Sequence, residues 1–461
     1  MRRLALTTAV AVALVLSAAV PAVAGRPFAD TTSTKDGFST WDADMINSDA
    51  VTQTGAGVYV AVLDTGLAPN WKDYFPADRV ATELGKGFVQ NVSFTAQVDD
   101  NDKCGFGVEV GNLRETTWVG SRGSTHGTHV TSTILGYNYR SNFDALAGYS
   151  LPAIQVRGIA PEVTIIPVKV LADYQIPALP DCADPGPMPA QTAVFGTDAM
   201  VAAGIDYVTD LANAGYRPMV INMSLGGPEL AQVEKDAIDR AIAAGVIVVA
   251  AAGNEGEDGM GYPGAYEPVI SAGAVGSVDE WTAPATGAPF NRMWWLQYGE
   301  LGIDVPDPVA PEDVYVADFS SRALAGQQLD VLAPGSWVRG PYPGFPGYSH
   351  LPWWSNGIGD LFLNPGNFYY VGGTSMASPH VASVAALLLE KDDDLTQAEV
   401  ESILKSSALS IPSNAIRHDV FDLSPQADFY DIAWDTDCNG SPCDPVGAGL
   451  VQADAALSMT P

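Results

Sequence analysis

An α/β fold is predicted for this chain: a doubly wound, mostly parallel sheet with helices on both faces. Three observations predict it. Apolar runs of strand length alternate with longer segments whose apolar residues recur at helical spacing. Runs such as Val246 to Ala251 are apolar throughout rather than at every second residue, as in strands covered on both faces. Polar residues suited to chemistry, Asp64 and Asn254, stand just past such runs, where an open α/β sheet places its binding crevice.

The elements follow in chain order. Residues 1 to 24 carry Arg2 and Arg3, an apolar run from Leu4 to Val20 and the small-residue end Ala22-Val23-Ala24, the layout of a secretory signal. A short polar lead from Gly25 to about Thr40 precedes a domain spanning 41–461. Its first strand is Val58 to Leu63, closed by Asp64-Thr65-Gly66. Ser124-Thr125-His126-Gly127-Thr128-His129 opens a helix toward Leu135. Val163 to Val170 and Val220 to Met223 are expected as buried strands, with a helix from Gly196 to Asn213 between them. A helix from Glu229 to Ala244 and the strand Val246 to Ala251 follow. In Gly372 to His380, Thr374 is expected as an N-cap and Ser375 as the first residue of a buried helix, because Val381, Val384, Ala385 and Leu388 recur behind them. Pro379 breaks the pattern, since a proline beyond the first turn removes a donor and frees a carbonyl. Three segments interrupt the alternation and are expected as surface insertions: 173–191, 281–314 and 340–367.

Composition bounds the function. The chain has 461 residues and is 47% apolar, enough for a large core. Its 22 basic against 54 acidic residues give a formal net charge of −32, which repels nucleic acid and anionic membrane surfaces. No run after the first is long and apolar enough to span a bilayer, so no stable membrane association is expected, and with the signal layout the chain is expected to be secreted and extracellular, as a monomer. Four cysteines in an exported chain suggest disulfides; Cys438 with Cys443 is the preferred pair, leaving Cys104 with Cys182, both in loop-like sequence.

Three residue types point to acyl transfer. A serine hydroxyl is a weak nucleophile and needs a neutral imidazole to take its proton and a carboxylate to hold that imidazole. Asp64, His126 and Ser375 each stand at a strand or helix end, and Asn254 in Ala251-Ala252-Gly253-Asn254 offers an amide to a developing oxyanion. Taken alone, Asp-Thr-Gly also occurs in aspartic proteases and turns. His126 and His129 stand three apart, but no third ligand completes a metal site, and His129 is expected to be structural.

At these residues the chain resembles the subtilisin-like serine proteases. Val62-Leu63-Asp64-Thr65-Gly66, His126-Gly127-Thr128-His129 and Gly373-Thr374-Ser375-Met376-Ala377-Ser378-Pro379 are similar to the family's catalytic blocks in its Asp, His, Ser order. Asn222-Met223-Ser224-Leu225-Gly226-Gly227 and the Asn254 block fit as well, and the resemblance covers roughly Trp41 to Ala456. It implies a subtilisin-like fold and a serine endopeptidase acting on proteins or peptides, with no cofactor required for catalysis. It further implies that Ser224, Leu225, Gly226 and Gly227 line the substrate cleft, and that Gly226, Gly227, Ala251, Ala252, Gly253 and Gly261 flank a roomy pocket for the residue before the scissile bond. A large apolar or aromatic side chain is expected there, or Lys or Arg if Glu255, Glu257 and Asp258 at the rim attract them. Two features depart from the family: no sizeable inhibitory segment fits between signal and domain, and Asn70-Trp71-Lys72-Asp73 stands where a His-Pro-Asp calcium sequence is usual. A structural calcium stays open at Asp435, Asp437 and Asn439, where oxygen ligands alternate without the closing Glu. The alternatives to a protease are a catalytically silent binding protein on the same scaffold, opposed by the intact residue set, and acid-acting relatives with Glu in place of His, opposed by His126.

Overall fold

The computed structural model describes residues 33–98, 104–121, 125–139, 154–179, 188–280, 295–297, 304–343, 351, 353–355, 367–412, 416–418, 431–433 and 437–461. The signal segment 1–24, Cys182, Trp294 and Asp435 lie outside them.

The strands that build the central sheet and its margins are β1 (Tyr59–Asp64), β2 (Lys86–Val98), β3 (Cys104–Thr116), β4 (Gly136–Tyr139), β5 (Ile154–Arg157) and β6 (Thr164–Lys169). After them come β7 (Ala172–Ile176), β8 (Gln191–Phe195), β9 (Met219–Met223), β10 (Ile247–Ala251), β11 (Ile270–Ser277), β12 (Val314–Val316) and β13 (Val331–Pro334). The helices that matter for the site are α1 (His126–Leu135), α2 (Asp198–Asn213), α3 (Gln232–Ala243) and α4 (Thr374–Lys391).

Among the described residues the main sheet runs β12-β11-β10-β9-β1-β6-β2-β3, with β13 also on β11. Its pairs are parallel except β2 with β3 and β11 with β12. Successive side chains of a strand alternate faces, and β1 uses both. Val60 and Val62 enter the core that holds Val130 and Ile134 of α1 and Val381 and Val384 of α4. Ala61 and Leu63 enter the opposite core, with Ile205 of α2 and Ile238 of α3. Covering both faces explains why the strands are apolar throughout. After β1 the chain builds outward through β6, then returns to lay β9 on the other side of β1. The crevice at such a reversal opens at the carboxyl end of β1, where Asp64 stands.

Several expectations are corrected. Helix α4 begins at Thr374 with Gly373 at its N-cap position, one residue before the expected start, and the Thr374 hydroxyl makes no capping bond but lies between Asn254 Oδ1 and the Gly253 carbonyl. Segment 173–191 contributes to an antiparallel hairpin, β7 with β8, rather than a plain loop. In 281–314, Trp295 is fully buried and packs 5.1 Å from the guanidinium of buried Arg339, so this part of the insertion belongs to the core. In 340–367 the chain leaves a strand (Val338–Pro341) that pairs with Phe368–Val371. Cys104 opens β3 rather than a loop. Cys438 and Cys443 are disulfide-bonded, Cα atoms 5.8 Å apart. No helix among the described residues is long and apolar enough to cross a membrane.

Candidate active site

The site is assembled from four strand or helix ends. Asp64, the last residue of β1, is fully buried, and the Thr65 N–H donates to its Oδ1 at 2.6 Å. His126 opens α1, with Nδ1 3.0 and 2.9 Å from Asp64 Oδ1 and Oδ2. The next residue has to be small: a Cβ on Gly127 would lie 2.6 Å from the Gly66 carbonyl oxygen and 3.1 Å from Asp64 Oδ1. The Gly127 N–H instead donates to Thr65 Oγ1 at 2.9 Å, tying the helix start to the strand end. A carboxylate only accepts, so Nδ1 carries the proton and Nε2 of the neutral ring keeps its lone pair. Burial pulls the imidazole pKa down, but the charge and hydrogen bond of Asp64 outweigh it and hold it above its ordinary value.

Ser375 sits in the first turn of α4, and its surroundings are set by Pro379. A proline at that position cannot bond the carbonyl four residues back, which is that of Ser375. The Ser224 hydroxyl takes the freed carbonyl at 2.7 Å. Asn222 Nδ2 donates to Ser224 Oγ at 3.0 Å, and the Ser378 hydroxyl donates to Asn222 Oδ1 at 2.7 Å. These bonds lock α4 to the end of β9. The Ser375 hydroxyl itself donates to the Ser224 carbonyl at 3.2 Å, and no hydrogen bond joins it to His126 among the described residues.

Asn254 follows β10. Its Oδ1 accepts from the Thr374 N–H at 2.8 Å and from Thr374 Oγ1 at 3.0 Å. Because a backbone N–H can only donate, the atom facing it is the oxygen, and the amide NH2 points the other way. Beside it lies a pocket of about 410 Å³ lined by Leu225, Gly226, Gly227, Ala251, Gly253 and Gly261 together with Asn254 and Ser375. Its two walls are joined where Gly227 and Tyr262 exchange backbone hydrogen bonds, each 2.8 Å. Glu255 and Asp258 stand on the lining, as expected for the rim. Glu257 does not: it pairs with buried Arg322 at 3.3 Å. Ala252 is also displaced from its expected role, being fully buried in the core with its carbonyl accepting from Gly261 N–H at 2.9 Å. Ser224 lines a larger cleft of about 750 Å³ on the other side of Leu225 to Gly227, together with Thr65 and His126.

His129 and His380 are structural. His129 is fully buried with Nε2 3.1 Å from the Val338 carbonyl, and burial and the neighbouring His126 push its pKa down to about 3. His380 bridges the Met376 carbonyl and Asp42. Asp437 and Asn439 lie exposed on a tight turn.

The sequence profile described as the Subtilase family matches residues 55–427. The chain belongs to the subtilase family. Among curated proteins this subtilase is 29% identical to subtilisin DY of Bacillus licheniformis over 361 residues, covering 77% of this chain and 85% of the relative. It is 30% identical to a subtilisin of Bacillus pumilus over 365 residues, 78% and 87% covered. With subtilisin E of Bacillus subtilis (strain 168) the identity is 31% over 359 residues, covering 77% of this chain but 61% of the relative. Among solved structures, Sphericase aligns with a TM-score of 0.51 at 23% identity over 90% of this chain and 97% of that one, a likeness of fold. The S41 Psychrophilic Protease gives 0.51 at 22% identity, with 91% and 99% covered. The subtilase is accordingly a serine-type endopeptidase acting on peptide substrates.

Sequence reasoning missed the part played by the Asn222 and Thr65 side chains, whose bonds with Ser378 and Gly127 cross 156 and 62 residues.

Proposed function

We propose that this subtilase cleaves peptide bonds by acyl transfer to Ser375, with His126 as general base, Asp64 holding the imidazole, and Asn254 with the Ser375 N–H stabilising the oxyanion, and that it is exported. The observation that carries the reading is the Asp64–His126 contact of 2.9 Å at the carboxyl end of β1, on a cleft shared with Ser224, which touches Ser375. In the first step the Ser375 hydroxyl leaves the Ser224 carbonyl and passes its proton to His126 Nε2 while Oγ bonds to the substrate carbonyl carbon. The carbonyl π electrons move to oxygen, where the Asn254 amide and the Ser375 N–H receive the charge. Collapse expels the amine, which takes the proton from His126, and water repeats the sequence on the acyl-enzyme. Apo hydrogen bonds between nucleophile and base are often unformed and tighten only with substrate, consistent with the present Ser375 contact.

A fluorophosphonate probe tests the assignment. Labelling of Ser375 that is lost in Ser375→Ala is expected, whereas neither labelling nor hydrolysis of unfolded protein would sink it. Export is supported by the Arg2-Arg3 start, the apolar run and Ala22-Val23-Ala24. Mass spectrometry of the protein from culture medium should find an N-terminus after Ala24; a full-length chain retained in cells refutes export.

A further inference from the structure

The larger cleft, about 750 Å³, holds a charge that the proposed mechanism does not use. Glu234 lies in the first turn of α3 on its buried stripe, with Ala237, Ile238 and Ala241, and is 5% exposed. Its carboxylate makes no hydrogen bond or ion pair among the described residues, yet it lines the cleft. Asp198 and Glu229 line the same cleft, and no lysine or arginine does among the described residues. A buried carboxylate without a partner is costly, and a bound cation removes that cost. Burial and the Asp198 charge push the Glu234 pKa up to about 7, as expected of a carboxylate whose counter-charge is absent.

The position of the cleft tells what brings the cation. It shares Leu225, Gly226 and Gly227 with the pocket beside Ser375. Gly227 spends its backbone groups on Tyr262, so Gly226 offers the free edge along which an extended peptide can lie. A peptide with one residue in the Ser375 pocket therefore passes the mouth of the second cleft.

We propose that Glu234 makes this cleft select a lysine or arginine side chain upstream of the scissile bond, by pairing with it. The inference rests on the Ser375 reading above and deepens it.

Fluorogenic peptides carrying Arg, its uncharged isostere citrulline, or Leu at each of the second to fourth positions before the scissile bond test it. The assay runs at pH 8.5, where Glu234 is ionised. At one of these positions Arg should exceed citrulline and Leu in kcat/KM by about tenfold or more, the scale of a hydrogen bond to a buried charge. Glu234→Gln should cut the Arg-to-Leu ratio about tenfold, which a merely structural role for Glu234 would not do because both peptides would suffer alike. Should that variant not fold, the Arg-to-citrulline ratio of the unaltered enzyme reads the same contact. Equal rates for Arg, citrulline and Leu at all three positions, or an Arg-to-Leu ratio unchanged in Glu234→Gln, overturn the subsite. Failure to cleave any peptide instead overturns the Ser375 reading.

Discussion

Thr374 decides which way Asn254 faces. By taking Oδ1 with its N–H and hydroxyl it leaves the amide NH2 as the donor directed away, so the proposed oxyanion contact is preorganised before substrate arrives. Asn254→Ala should lower kcat by about 100- to 1,000-fold with a much smaller change in KM, measured in steady-state kinetics. Under the proposed mechanism His126 sets the acid limb of activity. Only the neutral ring accepts the serine proton, and Asp64 holds its pKa above the ordinary value, so activity should fall as pH drops with a half-point above about 6.5. A kcat/KM profile with its acid limb well below that contradicts the assignment. The same pair acts on stability with the opposite sign: its folded pKa is raised, so its stabilisation is fully present below about pH 6.5 and lost as pH rises through the folded value. Ser224→Ala removes the donor to the Ser375 carbonyl and should cost about 1 kcal/mol in urea unfolding, besides slowing turnover.

Helix α4 is apolar on nearly every side because it is enclosed, and it tolerates Pro379 because a neighbouring strand end supplies the missing donor. The defect is local: it frees the carbonyl of Ser375, the proposed nucleophile, and gives that carbonyl to Ser224. Pro379→Ala returns an N–H that competes for the Ser375 carbonyl. It should cut kcat more than it lowers the melting temperature, and equal losses on both scales would reduce the proline to packing. Helix α3 carries a similar lapse. Glu234 occupies a position of the Ala237, Ile238, Ala241 stripe where an apolar residue belongs. A charged residue on that stripe was a readable signal of a buried site, but only the hairpin β7–β8 and the segment after β9 show that it faces a cleft.

At the scale of the molecule, a net charge of −32 makes the compact state repel itself. Raising NaCl from about 10 mM to about 500 mM shortens the screening length from roughly 30 Å to a few ångströms, so the melting temperature should rise by a few degrees. No rise, or a fall, would mean that paired charges outweigh the excess. By itself the sequence determined the alternation of strands and helices and the places of Asp64, His126, Asn254 and Ser375 at or just past strand and helix ends. Period, strand length and end position are local properties, and local properties survive in a string of residues. It left undecided what depends on approach between distant segments. That Ala252 is sealed in the core, that Trp295 covers Arg339, and that the Ser375 hydroxyl rests on Ser224 rather than His126 follow from packing across tens to hundreds of residues. Tertiary structure decided these because a hydrogen bond or a contact of a few ångströms is fixed by how whole layers dock, and no spacing along the chain encodes that distance.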